Sequence, residues 1–397
     1  MSILKISGVT STSCIGRGLE QTLSALHGRQ SGLAPCAFRD MVLDTWVGEV
    51  DAVDDEKIHA DMRDFNCRNN RLAQLALSQD GFVDAVEAAI GRWGRRRVGV
   101  FLGTSTAGML HTEWAFRHRD AVNGQLPAEF VYAGTHSPYS LTEFVRRKLG
   151  LEGPAVAVSS ACSSSAKVFA SAQRMVDCGL IDAAVVGGVD SLCATTLYGF
   201  ESLGLLAKEP CRPFSNERAG ISIGEAAAYI LVERASGPQD REAVWLLGVG
   251  ESSDAYHMSS PHPQGLGARL AMERALASAG LGPEHIDYIN LHGTGTVAND
   301  AAEAIAIANV FGTATPCSST KGATGHTLGA AGALEAAICV LAIQNGFMPS
   351  SPHIGQQDHT MEINYISQNQ RGPISTVLSN SFGFGGSNCS LIFGRPI

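Results

Sequence analysis

A chain of 397 residues with 45% hydrophobic content can bury the core of one large or two fused α/β domains. Its 29 basic and 38 acidic side chains leave a net charge of −9, which argues against general nucleic-acid binding. No uninterrupted run of eighteen apolar residues occurs, and Met1-Ser2-Ile3-Leu4-Lys5-Ile6 is too short and too soon polar for a secretory signal, so neither a membrane span nor export is expected and the location expected is cytoplasmic.

Along the chain, strand-like and helix-like segments alternate. Apolar spacing predicts a helix over 71–90, then a solvated Arg95-Arg96-Arg97 loop, then a strand over 98–102 ending in Gly103. Residues 154–159 read as a strand and 163–178 as a helix stopped by Gly179. Further strands are expected over 183–186, 229–232 and 245–249, and helices over 268–279, 301–310 and 330–344. This alternation predicts layered α/β architecture with buried sheets. Asp300 and Glu303 have the spacing of a capping box, with Asp300 as N-cap.

A repeat is visible. Phe101-Leu102-Gly103-Thr104-Ser105-Thr106 resembles Leu291-His292-Gly293-Thr294-Gly295-Thr296, and the strand–turn–helix of 156–178 has an echo at 317–344. Two similar halves follow, 1–240 and 241–397, joined through the polar, turn-rich stretch 234–242. Similar halves would bring equivalent strand ends face to face.

Ten cysteines are present and none forms a C-x-x-C pair, which argues against zinc or iron–sulfur binding and fits a reducing compartment. Cys178, Cys339 and Cys389 lie in apolar runs and read as packing residues. Cys162 differs: it stands where a strand meets a helix, among Ser159, Ser160, Ala161, Ser163, Ser164 and Ser165. A thiol at a helix N-terminus is biased toward thiolate, and the small neighbours leave room for a substrate. Two histidines, His292 and His326, sit in glycine-flanked turns, each readable alone as the cap of that turn. With Cys162 they form a set suited to acyl chemistry. Glu335 interrupts an apolar helix, where a lone carboxylate is costly, and Lys321 is its natural partner.

The segments Ser-Ser-Ala-Cys162-Ser-Ser-Ser, His292-Gly-Thr-Gly-Thr, Lys321-Gly-Ala-Thr-Gly-His326 and Asn380-Ser-Phe-Gly-Phe384-Gly-Gly resemble, in order and over nearly the whole chain, the β-ketoacyl-acyl carrier protein synthases of type II fatty acid and polyketide synthesis. The resemblance implies a thiolase-like fold, two duplicated α/β halves in an αβαβα five-layer arrangement, and a dimer. It implies an acyltransferase that performs a decarboxylative Claisen condensation. Cys162 would carry the acyl chain, and His292 and His326 would hydrogen-bond the malonyl-derived enolate. Lys321 would hold His326 and Glu335, and the backbone N–H groups of Cys162 and Phe384 would receive the oxyanion. Thr294 and Thr296 match positions that bind the pantetheine arm, Phe382 and Phe384 match gating aromatics, and Thr106 matches a position that lines the acyl tunnel. Arg63, Arg68 and Arg71 match basic docking residues for an acidic acyl carrier protein. No cofactor or metal is implied beyond phosphopantetheine on that carrier. The implied partners are the carrier and a second ketosynthase-like subunit, the same chain or a chain-length factor; nucleic acid and membrane are not among them.

Three departures point to specialised polyketide or polyene assembly: Phe214-Ser215-Asn216-Glu217-Arg218-Ala219-Gly220 lacks two acidic residues of the family pattern, Gly224-Glu225-Ala226-Ala227 has lost a glycine, and Phe130–His136 is unlike the housekeeping enzymes. Two alternatives compete. A thiolase would need a second catalytic cysteine, for which Cys389 is poorly placed, and a chain-length-factor-like subunit would lack the nucleophile that Cys162 supplies.

Overall fold

The computed structural model describes residues 2–235 and 243–395. Five strands from the first part of the chain, β1 (Leu4–Ser13), β2 (Val98–Gly103), β3 (Ala155–Val158), β4 (Ala183–Asp190) and β5 (Ala226–Glu233), lie in the order β3-β2-β4-β5-β1. Five from the second, β6 (Trp245–Ser253), β7 (Tyr288–Asn290), β8 (Pro316–Ser318), β9 (Thr376–Gly383) and β10 (Ser387–Gly394), lie in the order β8-β7-β9-β10-β6. The pairing senses repeat as well. β2 is parallel to β3 and β4, and β7 to β8 and β9, while β5 and β10 are antiparallel to both neighbours. Even the irregularities match: β1 has a register shift between Ile6 and Gly8, and β6 one between Leu246 and Gly248. The halves join where β1 meets β6, through Leu4↔Leu246 and Lys5↔Trp245.

Every residue of β2, β4, β5 and β9 is buried. Such strands need cover on both faces. The helices α1 (Leu19–His27), α2 (Arg68–Leu77), α3 (Phe82–Trp93), α4 (Met109–Arg117), α5 (Tyr139–Lys148), α6 (Ser164–Asp177), α7 (Ala194–Ser202), α8 (Leu266–Ala279), α9 (Val297–Phe311), α10 (Lys321–Thr324) and α11 (Ala331–Asn345) supply most of it. The helices α2, α3 and α5 cover the outer face of the first half, and α8, backed by α9, that of the second. Between the halves, α6 and α11 pack on each other and on strands of both. The stretch Leu328–Asn345 is long and apolar enough to cross a membrane by length and composition, yet 89% of it is buried inside the molecule. A helix apolar all round is what a central layer demands. The result is the five-layer duplicated α/β arrangement expected from the resemblance.

Three expectations change. The helix over 71–90 is two helices, broken at Asp80 (φ 55°) and Gly81 (φ 64°). Asp80 accepts hydrogen bonds from Leu19 N and the Thr10 hydroxyl, a tertiary tie that local periodicity does not encode. Asp300 does not cap α9: Thr296 does, its hydroxyl accepting from Asn299 N. Cys178 is exposed at the end of α6, whereas Cys339 and Cys389 are buried. The boundary placed at 240/241 lies outside the described residues.

Candidate active site

Cys162 follows β3 by four residues and precedes Ser163, the N-cap position of α6. The turn is sharp: Ala161 has φ 51°, unusual for a residue with a Cβ. The surrounding serines hold this elbow. Ser160 N donates to Ser164 Oγ, Ser163 Oγ to Ser160 O, and Ser105 Oγ to Ala161 O at 3.2 Å. Ser163, Ser164 and Ser165 are fully buried, so these small side chains fasten the backbone rather than leave space for substrate.

The duplication brings the second-half residues here. His326, between α10 and α11, places Nε2 3.0 Å from Cys162 Sγ. His292, just past β7, has its ring centroid 5.2 Å from that of His326, nearly perpendicular at 83°. Lys321, buried in α10, donates to Glu335 of α11, to His292 O at 2.5 Å, and lies 3.5 Å from His292 Nδ1. Among the described residues Lys321 makes no hydrogen bond to His326 and acts on it through its charge. Its hydrogen bonds run to His292 and Glu335, because α10 starts beneath the His292 turn. An ammonium donor at Nδ1 leaves the proton of neutral His292 on Nε2. Burial, with the positive charge of Lys321 next, pushes both histidines well below the ordinary imidazole value. They are neutral.

Cys162 also departs from expectation. Burial, with the negative charge of Asp190 adding to it, pushes its thiol up to about 12, against the positive charge of Lys321 and the backbone N–H groups of Phe384 and Cys162 that favour thiolate. Desolvation outweighs the helix N-terminus, so the sulfur holds its proton until it can hand it to a base. His326 Nε2 is in contact to take it.

A cavity of about 330 Å³ opens on this group. Cys162, His292 and His326 form its floor, Phe382 and Phe384 one wall, and Thr294 and Thr296 with the start of α9 another. The hydroxyls of Thr294 and Thr296 lie 2.9 Å apart. The buried Phe382 ring packs 5.7 Å from His292, and Phe384, half-exposed, lies 5.6 Å from Phe200 of α7. Among the described lining residues none is Lys or Arg.

One predicted residue lies off this cavity, and one predicted placement fails. Thr106 does not line this cavity; its hydroxyl and its N–H both donate to the buried carboxylate of Asp190. Arg68 is only 5% exposed. It forms a two-point pair with Glu225, reaches Glu49 and Asp54, and lies over the Phe38 ring. It cannot meet a partner's surface. Arg63 is exposed and Arg71 half-buried against Asn66 and Asp54; neither lines the Cys162 cavity.

Three buried carboxylates hold the loops around the site: Glu303 and Asp300, which the sequence offered only as a capping box, and Asp190, which it did not mark. Glu303 accepts His292 N and Gly293 N, each at 2.8 Å, and Asn380 Nδ2 at 3.2 Å. Asp300 accepts Phe214 N and Gly295 N. Asp190 holds the loop after β2. Glu303 was detectable: it interrupts an alanine-rich helix as Glu335 does.

Residues 7–237 match the family model for the N-terminal domain of beta-ketoacyl synthases, and residues 244–355 the model for the C-terminal domain. The chain is 32% identical over 424 residues to 3-oxoacyl-[acyl-carrier-protein] synthase 2 of Coxiella burnetii, covering 98% of each. It is 37% identical over 306 residues to nodulation protein E of Rhizobium meliloti, covering 75% of each. Among solved structures, the ketosynthase ApeO in complex with its chain length factor ApeC, from Xenorhabdus doucetiae, aligns with a TM-score of 0.89 at 39% identity, over 100% of this chain and 98% of that one. The ishigamide ketosynthase/chain length factor aligns with a TM-score of 0.89 at 26% identity over the full length of both chains.

Proposed function

The chain belongs to the β-ketoacyl synthase family and is a condensing acyltransferase; on that premise we propose that Cys162, His292 and His326 carry out the condensation between an acyl chain and malonyl-carrier protein. The observation that carries the assignment is the contact of His326 Nε2 with Cys162 Sγ at 3.0 Å, with the His292 ring set at right angles beside it over one cavity.

In the first stage Cys162 gives its proton to His326 and attacks the carrier thioester. The carbonyl oxygen takes the electron pair and meets the N–H groups of Cys162 and Phe384. Collapse releases the carrier thiol, which takes the proton back, and leaves the acyl group on Cys162. In the second stage malonyl-carrier protein enters past Thr294 and Thr296. Its carboxylate leaves as carbon dioxide, and the electron pair of the broken bond moves to the thioester oxygen as an enolate. Neutral His292 donates its Nε2–H to that oxygen, and His326, left by the first stage with its proton on Nδ1, donates there only after exchanging to the Nε2–H tautomer. The enolate carbon then attacks the Cys162 thioester, the carbon–sulfur bond breaks, and the Cys162 thiolate takes a proton from solvent, the one proton the overall reaction consumes.

The pathway proposed is specialised polyketide or polyene assembly. Ala219, where the family often has an acidic residue, supports this reading because it helps make the cavity lining apolar. The second subunit proposed is ketosynthase-like. Two features favour such a neighbour: among the described residues β3 pairs only with β2, leaving its outer edge open, and Trp114, Phe116, Tyr132 and Tyr139 are exposed on α4, α5 and the segment between them.

The test is mass spectrometry of Cys162 after exposure to a panel of acyl-carrier proteins. Acylation at Cys162, lost in Cys162→Ala, is the expected result. Acylation elsewhere, or none across the panel, would overturn the assignment.

A further inference from the structure

Asp190 closes β4 and is completely buried, with no cation among its hydrogen-bond partners. Its Oδ1 accepts from the Thr104 hydroxyl at 2.7 Å, and from Ser105 N, Thr106 N and the Thr106 hydroxyl at 2.8 Å each. Its Oδ2 accepts from Ser105 N at 3.0 Å and from Gly329 N at 2.6 Å. An anion ringed by donors in this way is fixed in place, and it fixes them in return.

The donors belong to two segments that lead to the two reacting groups. Ser105, held by Asp190, donates its hydroxyl to Ala161 O, the carbonyl directly before Cys162 in the strained elbow. Gly329 stands three residues after His326, in the turn that opens α11. A Cβ at Gly329 would come within 2.8 Å of both Ser105 N and Asp190 Oδ2, so these segments touch backbone to backbone. We infer that Asp190 is a positioning residue for the nucleophile pair: one carboxylate ties the Cys162 elbow, through Ser105, to the His326 turn, through Gly329, and thereby sets the sulfur–imidazole contact. The second half does the equivalent for the other histidine, where Glu303 grips the loop after β7. The two loops occupy the same place in the duplicated topology, and each is held by a buried carboxylate on consecutive N–H groups.

This inference rests on the proposed role of Cys162 and His326, so its test reads the thiol itself and not condensation. The measurement is the rate of Cys162 alkylation by iodoacetamide at neutral pH, followed by mass spectrometry, in a double-mutant cycle of Asp190→Asn and His326→Ala. Each single variant is expected to slow alkylation about tenfold, as loss of a positioned base does. The double variant should be no slower than the slower single, because His326 cannot help a sulfur it no longer meets. Effects that multiply would overturn the inference, as would a folded Asp190→Asn protein that melts lower but alkylates at the original rate. If Asp190→Asn does not fold, Ser105→Ala removes only the link to Ala161 and serves in the same cycle. It should slow alkylation about threefold and be non-multiplicative with His326→Ala; independence of the two would again refute the coupling. Failure of the condensing reading would appear separately, as normal coupling in the alkylation cycle with no acyl transfer to Cys162.

Discussion

Glu303→Gln separates the two half-reactions. Glu303 holds His292 N and Gly293 N on its two oxygens, with Asn380 as a third donor. Glutamine keeps one carbonyl oxygen and turns an NH₂ group toward the other N–H. A buried donor left unsatisfied costs ~1–3 kcal/mol, and the His292 turn must shift to relieve it. A misplaced enolate donor lowers the decarboxylation rate by about a hundredfold. Cys162 and His326 are untouched, so acyl loading should stay within about twofold, inside the ordinary scatter of a neighbouring change. The pH dependence sharpens the test. Burial pushes Glu303 up to about 7 from an ordinary 4.5. With the folded value raised, this carboxyl costs no stability at low pH, and the cost grows as pH rises through that window, reaching on the order of 3 kcal/mol. Activity runs the other way, because only the ionised form accepts on both oxygens. Glu335, also buried, is pushed in the same direction. Carbon dioxide release from malonyl-carrier protein should therefore rise through neutral pH more steeply in the native enzyme than in Glu303→Gln. An equally steep rise in the variant, or equal losses in loading and decarboxylation, would refute the reasoning.

Cys162→Ala should lose acyl loading yet keep malonyl decarboxylation, and His292→Ala the reverse, measured by intact-protein mass and by carbon dioxide release. His326→Ala should lower both, because that ring touches the sulfur and also faces the enolate position. Arg68→Ala should cost ~3–5 kcal/mol in a denaturant melt, since Glu225 is left buried without its cation, with carrier-protein transfer by the folded fraction unchanged. A near-native melt with weakened transfer would restore Arg68 as a docking residue. Phe200→Ala should widen the cavity beside Phe384 and shift the accepted acyl chains to longer ones in a competition among acyl-carrier proteins; an unchanged profile would place the acyl chain elsewhere.

The strands and the duplication were legible in the sequence because strands buried on both faces are written as unbroken apolar runs. The two G-T-x-T loops mark the same place in each half. What was not legible depends on partners far away in the chain. Arg68 looks like a helix-surface cation until Glu225, 157 residues later, closes over it. Asp300 and Glu303 satisfy a local capping rule, and only the fold shows that Thr296 has taken that task and freed both carboxylates to hold the Phe214, His292 and Gly295 backbone. Thr106 carries no mark of turning to Asp190 rather than to the cavity. The thiol shows the limit most directly. Its place at a helix N-terminus is readable, but the burial that reverses its protonation comes from elements of both halves.

That burial bears on the chemistry. Near the reacting groups, Asp190, Asp300 and Glu303 take their hydrogen bonds from backbone, hydroxyl and amide donors, and among the described residues none of those donors is a cation. Among the described residues, Lys321 is the one cation hydrogen-bonded to an active-site imidazole, and Glu335 balances its charge. A protonated histidine here would be buried beside the positive charge of Lys321, and its imidazole gives up the proton instead. The site therefore meets a developing enolate with neutral N–H donors, the tautomer of His292 being set by Lys321 at its Nδ1. Neutral donors stabilise the oxygen without handing it a proton. The carbanion then survives long enough to attack the thioester on Cys162, which a pair of imidazolium ions would prevent by protonating it first.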